Sequence, residues 1–283
     1  MAVVGPPVLG SASRGIARPG WVRRHPLAAF VVLCFGLAWL ALIPLAAESR
    51  AWLPFHVPAW VAVPLAGWGP AVAAFSVAAA VGRGHDLLLR TTRWQFGLRS
   101  YAVPLVGPGV AYTVSVWIDT MLGGSPPGPG SLLAILPLFG IGLIINCQEI
   151  GWRGFLLPGL LERYSPLEAS LFAALVWIAW HVPYMLWLGQ PMASAPRPAF
   201  IVLALSSSVV LTWLYRRSGE STLPPLLFQA MNTACGTALL LTPGEGRAFE
   251  VYAGLCALVA MLLAVTRRVP TGGPEPDGMS LTR

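Results

Sequence analysis

From Pro26 to Ala47 the chain runs 22 residues without a charged side chain, long enough as a helix to cross roughly 30 Å of hydrocarbon. Further apolar runs lie near 59–82, 101–122, 131–161, 168–189, 198–215, 223–242 and 249–266. With 56% hydrophobic and only 10% charged residues, such a chain cannot cover itself with a water-compatible surface. The expected fold is all-α, a polytopic membrane helix bundle of about eight transmembrane helices. Six remain the alternative if 223–242 or the interrupted fourth segment does not cross completely.

The basic residues test that count, because short cytoplasmic loops collect them. All eighteen are arginine. Arg14, Arg18, Arg23 and Arg24 precede the first run; Arg83, Arg90, Arg93 and Arg99 follow the second; Arg153 and Arg163 belong to the fourth. Arg216 and Arg217 follow the sixth, and Arg267, Arg268 and Arg283 the eighth. The alternate loops hold only Arg50, Arg197 and Arg247. Fifteen against three, in strict alternation, fits eight spans with both termini cytoplasmic.

This organisation gives a cytoplasmic N-terminal tail over residues 1–25, a transmembrane domain over 26–266 and a disordered, Gly- and Pro-rich cytoplasmic tail over 267–283. The first run exceeds the usual signal core of about 7–15 residues, which favours an uncleaved helix over a signal peptide ending at Ala46-Ala47. Between the second and third runs, residues 85–99 mix leucines and aromatics with arginines and read as an amphipathic segment lying on anionic lipid. Residues 123–130 read as an external turn. The cysteines Cys34, Cys147, Cys235 and Cys256 have no C-x-x-C spacing, which points to small buried hydrophobes. No basic stripe interleaved with stacking aromatics indicates a nucleic-acid partner; the partner implied by composition is membrane lipid.

Three polar clusters interrupt this apolar chain. In the fourth run, Gln148-Glu149-Ile150-Gly151-Trp152-Arg153 sets an acid and a base one helical turn apart, the spacing of an ion pair. Ionisable groups at mid-bilayer cost about 2.5–3.5 kcal/mol each on insertion scales, which makes this segment the leading site candidate. Gln148 sits roughly 140° around the helix from Arg153 and is free to face a cavity. In the fifth run, His181 follows Trp177 by four residues. In the seventh, Gln229, Asn232 and Thr233 follow Pro224-Pro225. Taken singly, a packed histidine and interhelical amide bonds explain the last two clusters as structural.

Together, in this order, they resemble the CPBP family of intramembrane proteases, the CAAX prenyl endopeptidase or Abi proteins. Gln148-Glu149-Ile150-Gly151-Trp152-Arg153-Gly154 resembles the family's Glu-Glu-x-x-x-Arg motif. Trp177-Ile178-Ala179-Trp180-His181 resembles the second, and Leu227-Phe228-Gln229-Ala230-Met231-Asn232-Thr233 the third, where a histidine precedes an asparagine by four. The CPBP-like core spans about 130–242. The resemblance implies a multi-pass protein of a bacterial plasma membrane, and cleavage of prenylated or other hydrophobic peptides near its cytoplasmic side. Gln148, Glu149, Arg153, His181, Gln229 and Asn232 would form the site.

Two positions depart from the family pattern. Gln148 stands where the water-activating glutamate is expected, and a neutral amide accepts no proton near pH 7. The third motif has no histidine: one register puts Gln229 at its position and Thr233 at that of the asparagine, the other aligns Asn232 and leaves Phe228 there. Zinc, the metal to consider, needs three protein ligands in a catalytic site, and His181 is the one clear ligand. The implied activity is an intramembrane endopeptidase of metallo or glutamic type. The alternative is a non-catalytic member that binds hydrophobic or prenylated peptides as an immunity or assembly factor.

Overall fold

The computed structural model describes residues 20–126, 131–240, 246–266 and 268. The rest of the two expected tails, and residues 127–130 of the expected turn, lie outside the described residues. Without water to satisfy the backbone, a chain inside a bilayer must pair its own N–H and C=O groups, and every apolar run is helical here. Besides the four-residue helices Trp21–Arg24 and Pro191–Ser194, the helices are α1 (Pro26–Glu48), α2 (Ala59–Val81), α3 (Gly84–Thr92), α4 (Arg99–Met121), α5 (Ser131–Ile145), α6 (Gln148–Leu161), α7 (Pro166–Trp180), α8 (Val182–Leu186), α9 (Arg197–Arg217), α10 (Leu223–Leu240) and α11 (Gly246–Val265).

Five of these, α1, α2, α4, α9 and α11, are long and apolar enough to cross a membrane by themselves, and α5 with α6 forms a sixth candidate bent by 42°. The fifth and seventh expected spans are less regular. Helix α7 has 15 residues and continues past a break at His181 into α8, and α10 is diluted by its amides and hydroxyls.

The contacts between loops nevertheless fall at two ends of the bundle, consistent with about eight traverses. At one end Arg23 donates to the carbonyl of Ala80 (3.1 Å), Arg83 pairs with Glu162 (2.8 Å), Arg90 pairs with Glu220 (3.2 Å) and the Thr222 amide donates to the Arg90 carbonyl (3.1 Å). At the other end Arg50 donates to the Leu186 carbonyl (3.1 Å), the Leu188 amide donates to Ser49 Oγ (3.0 Å) and Arg247 binds Asp119 (2.5 Å). Every one of these contacts joins loops that the arginine alternation assigns to the same face.

Helix α9 is the inner one. In its apolar window 72% of residues are buried, against 22% in α4 and 28% in α1 and α11. It packs on α7, α10 and α11, while α2 packs on α1 and α6, and α10 on α4 and α5. The outer surface carries exposed large apolar side chains such as Leu40, Trp60, Leu133 and Leu136, as a lipid-facing surface must. Two glycines set how closely the central helices approach. A Cβ on Gly142 would stand 2.8 Å from the Ala230 carbonyl oxygen, and one on Gly151 would stand 2.5 Å from that of Pro70. These contacts hold the fourth segment against α10 and α2.

The expected amphipathic segment is docked on the arginine-rich end as well as facing outward. Leu88 and Leu89 are exposed, but Leu87 is buried beside Gly154. Ser221 Oγ also donates to the Arg93 carbonyl (2.6 Å).

The eight traverses predict the labelling of single cysteines in a background lacking the four native ones. With the arginine-rich end cytoplasmic, a cysteine replacing Arg163 is expected to react with an impermeant maleimide in inverted vesicles and not in intact cells. A cysteine replacing Trp52 is expected to do the reverse; equal reactivity of both from one face would contradict the traverse count.

Candidate active site

The site begins where the fourth segment breaks. Helix α5 ends at Ile145, Asn146 and Cys147 form a turn, and α6 resumes at Gln148 on a new axis. Within α6, Trp152–Leu156 forms a π turn. Such an extra residue shifts the side chains that follow it and recurs at functional sites.

Glu149 is fully buried and Arg153 is 3% exposed. Arg153 Nη1 lies 3.0 Å from both Glu149 oxygens and donates its hydrogen bond to Oε1. Glu149 Oε2 and Arg153 Nε make no hydrogen bond. Arg153 Nη2 donates to Ser208 Oγ (3.3 Å), which donates to the Ser170 carbonyl (2.7 Å), and Ser170 Oγ donates to Thr212 Oγ1 (2.8 Å). Ser208 thus holds the guanidinium through its second terminal nitrogen, and hydrogen bonds from Ser208 and Ser170 tie α9 to α7 beside it.

Gln148 is buried but not free. Its Nε2 donates to Asn146 Oδ1 (3.2 Å), and its Oε1 accepts from Trp152 Nε1 (3.0 Å). Asn146 in turn donates from Nδ2 to the Gly142 carbonyl (2.8 Å) and to Thr233 Oγ1 (3.1 Å). The amide at position 148 therefore forms part of a closed network tying α6 to α10 through Asn146, where a cavity-facing side chain was expected.

His181 lies at the α7–α8 break, 6% exposed. Its Nδ1 is 2.8 Å from the Trp177 carbonyl oxygen. A carbonyl only accepts, so Nδ1 carries the proton and Nε2 presents its lone pair. Nε2 makes no hydrogen bond among the described residues. Aromatic rings wall the imidazole: Trp177 at 4.1 Å between ring centroids, Trp180 at 4.8 Å, Phe200 at 5.6 Å and Tyr184 at 5.9 Å. Trp180 also meets Trp152 edge-on at 6.0 Å, which connects His181 by two rings to Gln148.

Helix α10 presents its polar residues in two directions. Gln229 lies beside Arg153, Trp177, Ser207 and Ser208, lining a narrow crevice too tight to hold a water molecule. Thr233, one turn on, meets Asn146. Asn232 faces away, where its Oδ1 accepts from Tyr112 (3.3 Å) and Tyr252 (2.5 Å), two rings stacked at 3.8 Å. The structure thus brings Arg153, with Glu149 bound to it, and Gln229 to one crevice, closes Gln148 into a separate amide network, leaves His181 among aromatic rings next to Trp177, and places Asn232 on the far side with Tyr112 and Tyr252. Of the two registers for the third motif, this placement matches the one with Gln229 and Thr233.

Several polar contributors escaped the sequence reading. Asn146 precedes Gln148 by two residues, and Ser206-Ser207-Ser208, Ser170 and Thr212 sit inside apolar helices. A search for any uncharged polar residue at mid-span would have found them. Among the described residues no three His, Cys, Asp or Glu come together to hold a metal. His181 Nε2 is one nitrogen donor, its partners on α6 and α10 are amides, and Glu149 is committed to Arg153. This donor set does not fit the His and carboxylate ligation of zinc.

A bent, helical membrane bundle with a buried polar centre assembled from three motifs defines the class of this protein. Residues 128–235 match the family model for the type II CAAX prenyl endopeptidase Rce1-like proteins. The chain is also similar to CAAX prenyl protease 2 of Methanococcus maripaludis, 25% identical over 105 residues that cover 32% of this chain and 36% of that relative. These matches support membership of the CPBP family that the three motifs resemble, and they cover about a third of each chain compared.

The buried pair gives a stability prediction. Glu149→Ala strands a guanidinium in an apolar interior and is expected to cost about 3–5 kcal/mol, whereas the apolar double replacement Glu149→Leu/Arg153→Met recovers most of it. Denaturation in detergent followed by circular dichroism measures both; a double variant no more stable than Glu149→Ala would show that the pair is not the source of the loss.

Proposed function

We propose that this chain is an intramembrane endopeptidase that hydrolyses a peptide bond in prenylated or other hydrophobic, membrane-associated peptides. The observation that carries this reading is His181, buried in an aromatic wall beside the three-motif centre with its Nε2 lone pair unengaged. A positioned imidazole with a free lone pair can serve as a general base.

In this reading Nε2 takes the proton of a water that attacks the scissile carbonyl, then returns it to the leaving amine. Gln148 cannot share that task, because an amide accepts no proton near neutral pH. Its contribution is positional, through the bonds to Asn146 and Trp152. Glu149 and Arg153 act as a fixed dipole under the centre, and Gln229 offers an amide N–H on the crevice wall toward a developing oxyanion. Gln229 lies six residues into α10 and Arg153 eight residues before the end of α6. At 1.5 Å per residue these are roughly 9 and 12 Å from the arginine-rich end, which supports peptide entry from that end, the one assigned to the cytoplasm.

One observation favours a second reading. Gln148 occupies the expected place of the glutamate and is engaged at both ends of its amide, which suits a non-catalytic member whose cavity binds hydrophobic or prenylated peptides.

Turnover of a prenylated-peptide panel by the purified chain decides between them. The wild type is expected to cleave, with His181→Ala lowering the rate by about 10²–10⁴-fold while the protein remains folded, and Gln148→Glu raising it. Cleavage confined to the Gln148→Glu/Gln229→His variant would identify the natural chain as the binder. Full activity in His181→Ala would eliminate the imidazole as base.

A further inference from the structure

A second recess lies at the arginine-rich end, away from the catalytic centre. It has a volume of about 170 Å³ and is lined by Ser100, Val103, Trp213, Leu214, Arg217 and Arg268. Three helix ends converge on it: Ser100 opens α4, Arg217 closes α9 and Arg268 follows α11. Arg217 lies over the Trp213 ring, with its guanidinium carbon 5.7 Å from the ring centroid. Neither Arg217 nor Arg268 has a carboxylate partner among the described residues, and the Ser100 hydroxyl makes no hydrogen bond there.

We propose that this recess binds the phosphate headgroup of an anionic phospholipid. Two permanent positive charges from helices distant in sequence face one space with no acid among the described residues to balance them. The planar guanidinium fits phosphate oxygens in a paired fashion. The remaining lining is apolar and sits about one turn deeper: Val103 and Trp213 form walls and Leu214, which is buried, forms the floor. A charged rim above an apolar wall at the end of membrane-crossing helices matches a headgroup with an acyl chain descending beside it, the arrangement of basic interhelical lipid sites. An arginine that only reached for the interface would need no second guanidinium, hydroxyl or recess.

The test is lipid retention by the full chain, purified in detergent and offered equimolar phosphatidylglycerol and phosphatidylcholine, read by native mass spectrometry. The wild type is expected to retain phosphatidylglycerol with at least about a fivefold preference. Arg217→Gln/Arg268→Gln is expected to abolish the preference. Val103→Trp, which fills the recess and keeps both charges, is expected to do the same. Arg163→Gln, at the same end outside the recess, is expected to keep it. Wild-type-like preference in the double variant would overturn the proposal, as would equal loss in Arg163→Gln, which would reduce the effect to end charge. Inorganic phosphate raising Tm as much as phosphatidylglycerol does would overturn the lipid assignment in favour of a soluble anion.

Discussion

The pairing of Glu149 with Arg153 inside an apolar bundle is the interaction on which the central architecture depends. Two opposite charges 3.0 Å apart attract strongly where the dielectric is low, but each gives up hydration that the interior does not replace. The helix supplies the spacing, and the surrounding helices supply the remaining partner. Ser208 on the inner helix α9 meets the guanidinium, and Ser170 and Thr212 extend the chain of hydroxyls to α7. Moving α9 would leave Arg153 with the carboxylate alone, and moving α7 would free the Ser208 hydroxyl that meets it. The pair therefore constrains the positions of α6, α7 and α9, three of the four elements that line the crevice.

The amides at positions 148 and 229 give this centre a chemistry unlike that of two carboxylates or two imidazoles. A carboxylate at 148 would add a second negative charge next to Glu149, with one guanidinium to balance both. Glutamine avoids that repulsion and serves as donor and acceptor at once, bonding Asn146 and Trp152 together. The closed bonding stiffens the break between α5 and α6 at the cost of a titratable group. In the proposed reaction, proton transfer falls to His181, whose ring is walled by aromatic side chains and whose Nδ1 is fixed by the Trp177 carbonyl. Proton transfer and charge balance are thus assigned to different residues on different helices.

Much of the fold was legible in the residues because bilayer thickness converts length and polarity into crossings. The expected segment 26–47 became Pro26–Glu48, and 198–215 became Arg197–Arg217. The alternation of arginines sorted the loops correctly into two ends. Length alone was a poorer guide where polar residues dilute a helix, as in α10, or where a histidine ends one early, as in α7. The site was legible only at i and i+4 spacings within one helix, as for Glu149 with Arg153. Which neighbours a side chain meets on another helix left no local signal: Asn146 was overlooked, and Asn232 lies with Tyr112 and Tyr252 instead of in the centre.

By itself, then, the sequence determined that this is a polytopic helical membrane protein and that an acid and a base lie one turn apart in its fourth segment. These depend on distances along the chain, which helix geometry converts directly into positions. Only the tertiary structure decided that Gln148 is locked by Asn146 and Trp152, that Gln229 and Thr233 face the fourth segment while Asn232 does not, and that Arg217 and Arg268 converge on one recess. Those depend on the rotation and closeness of helices packed through Gly142 and Gly151. In a chain whose helices are apolar nearly all round, no amphipathic stripe marks beforehand which face turns inward.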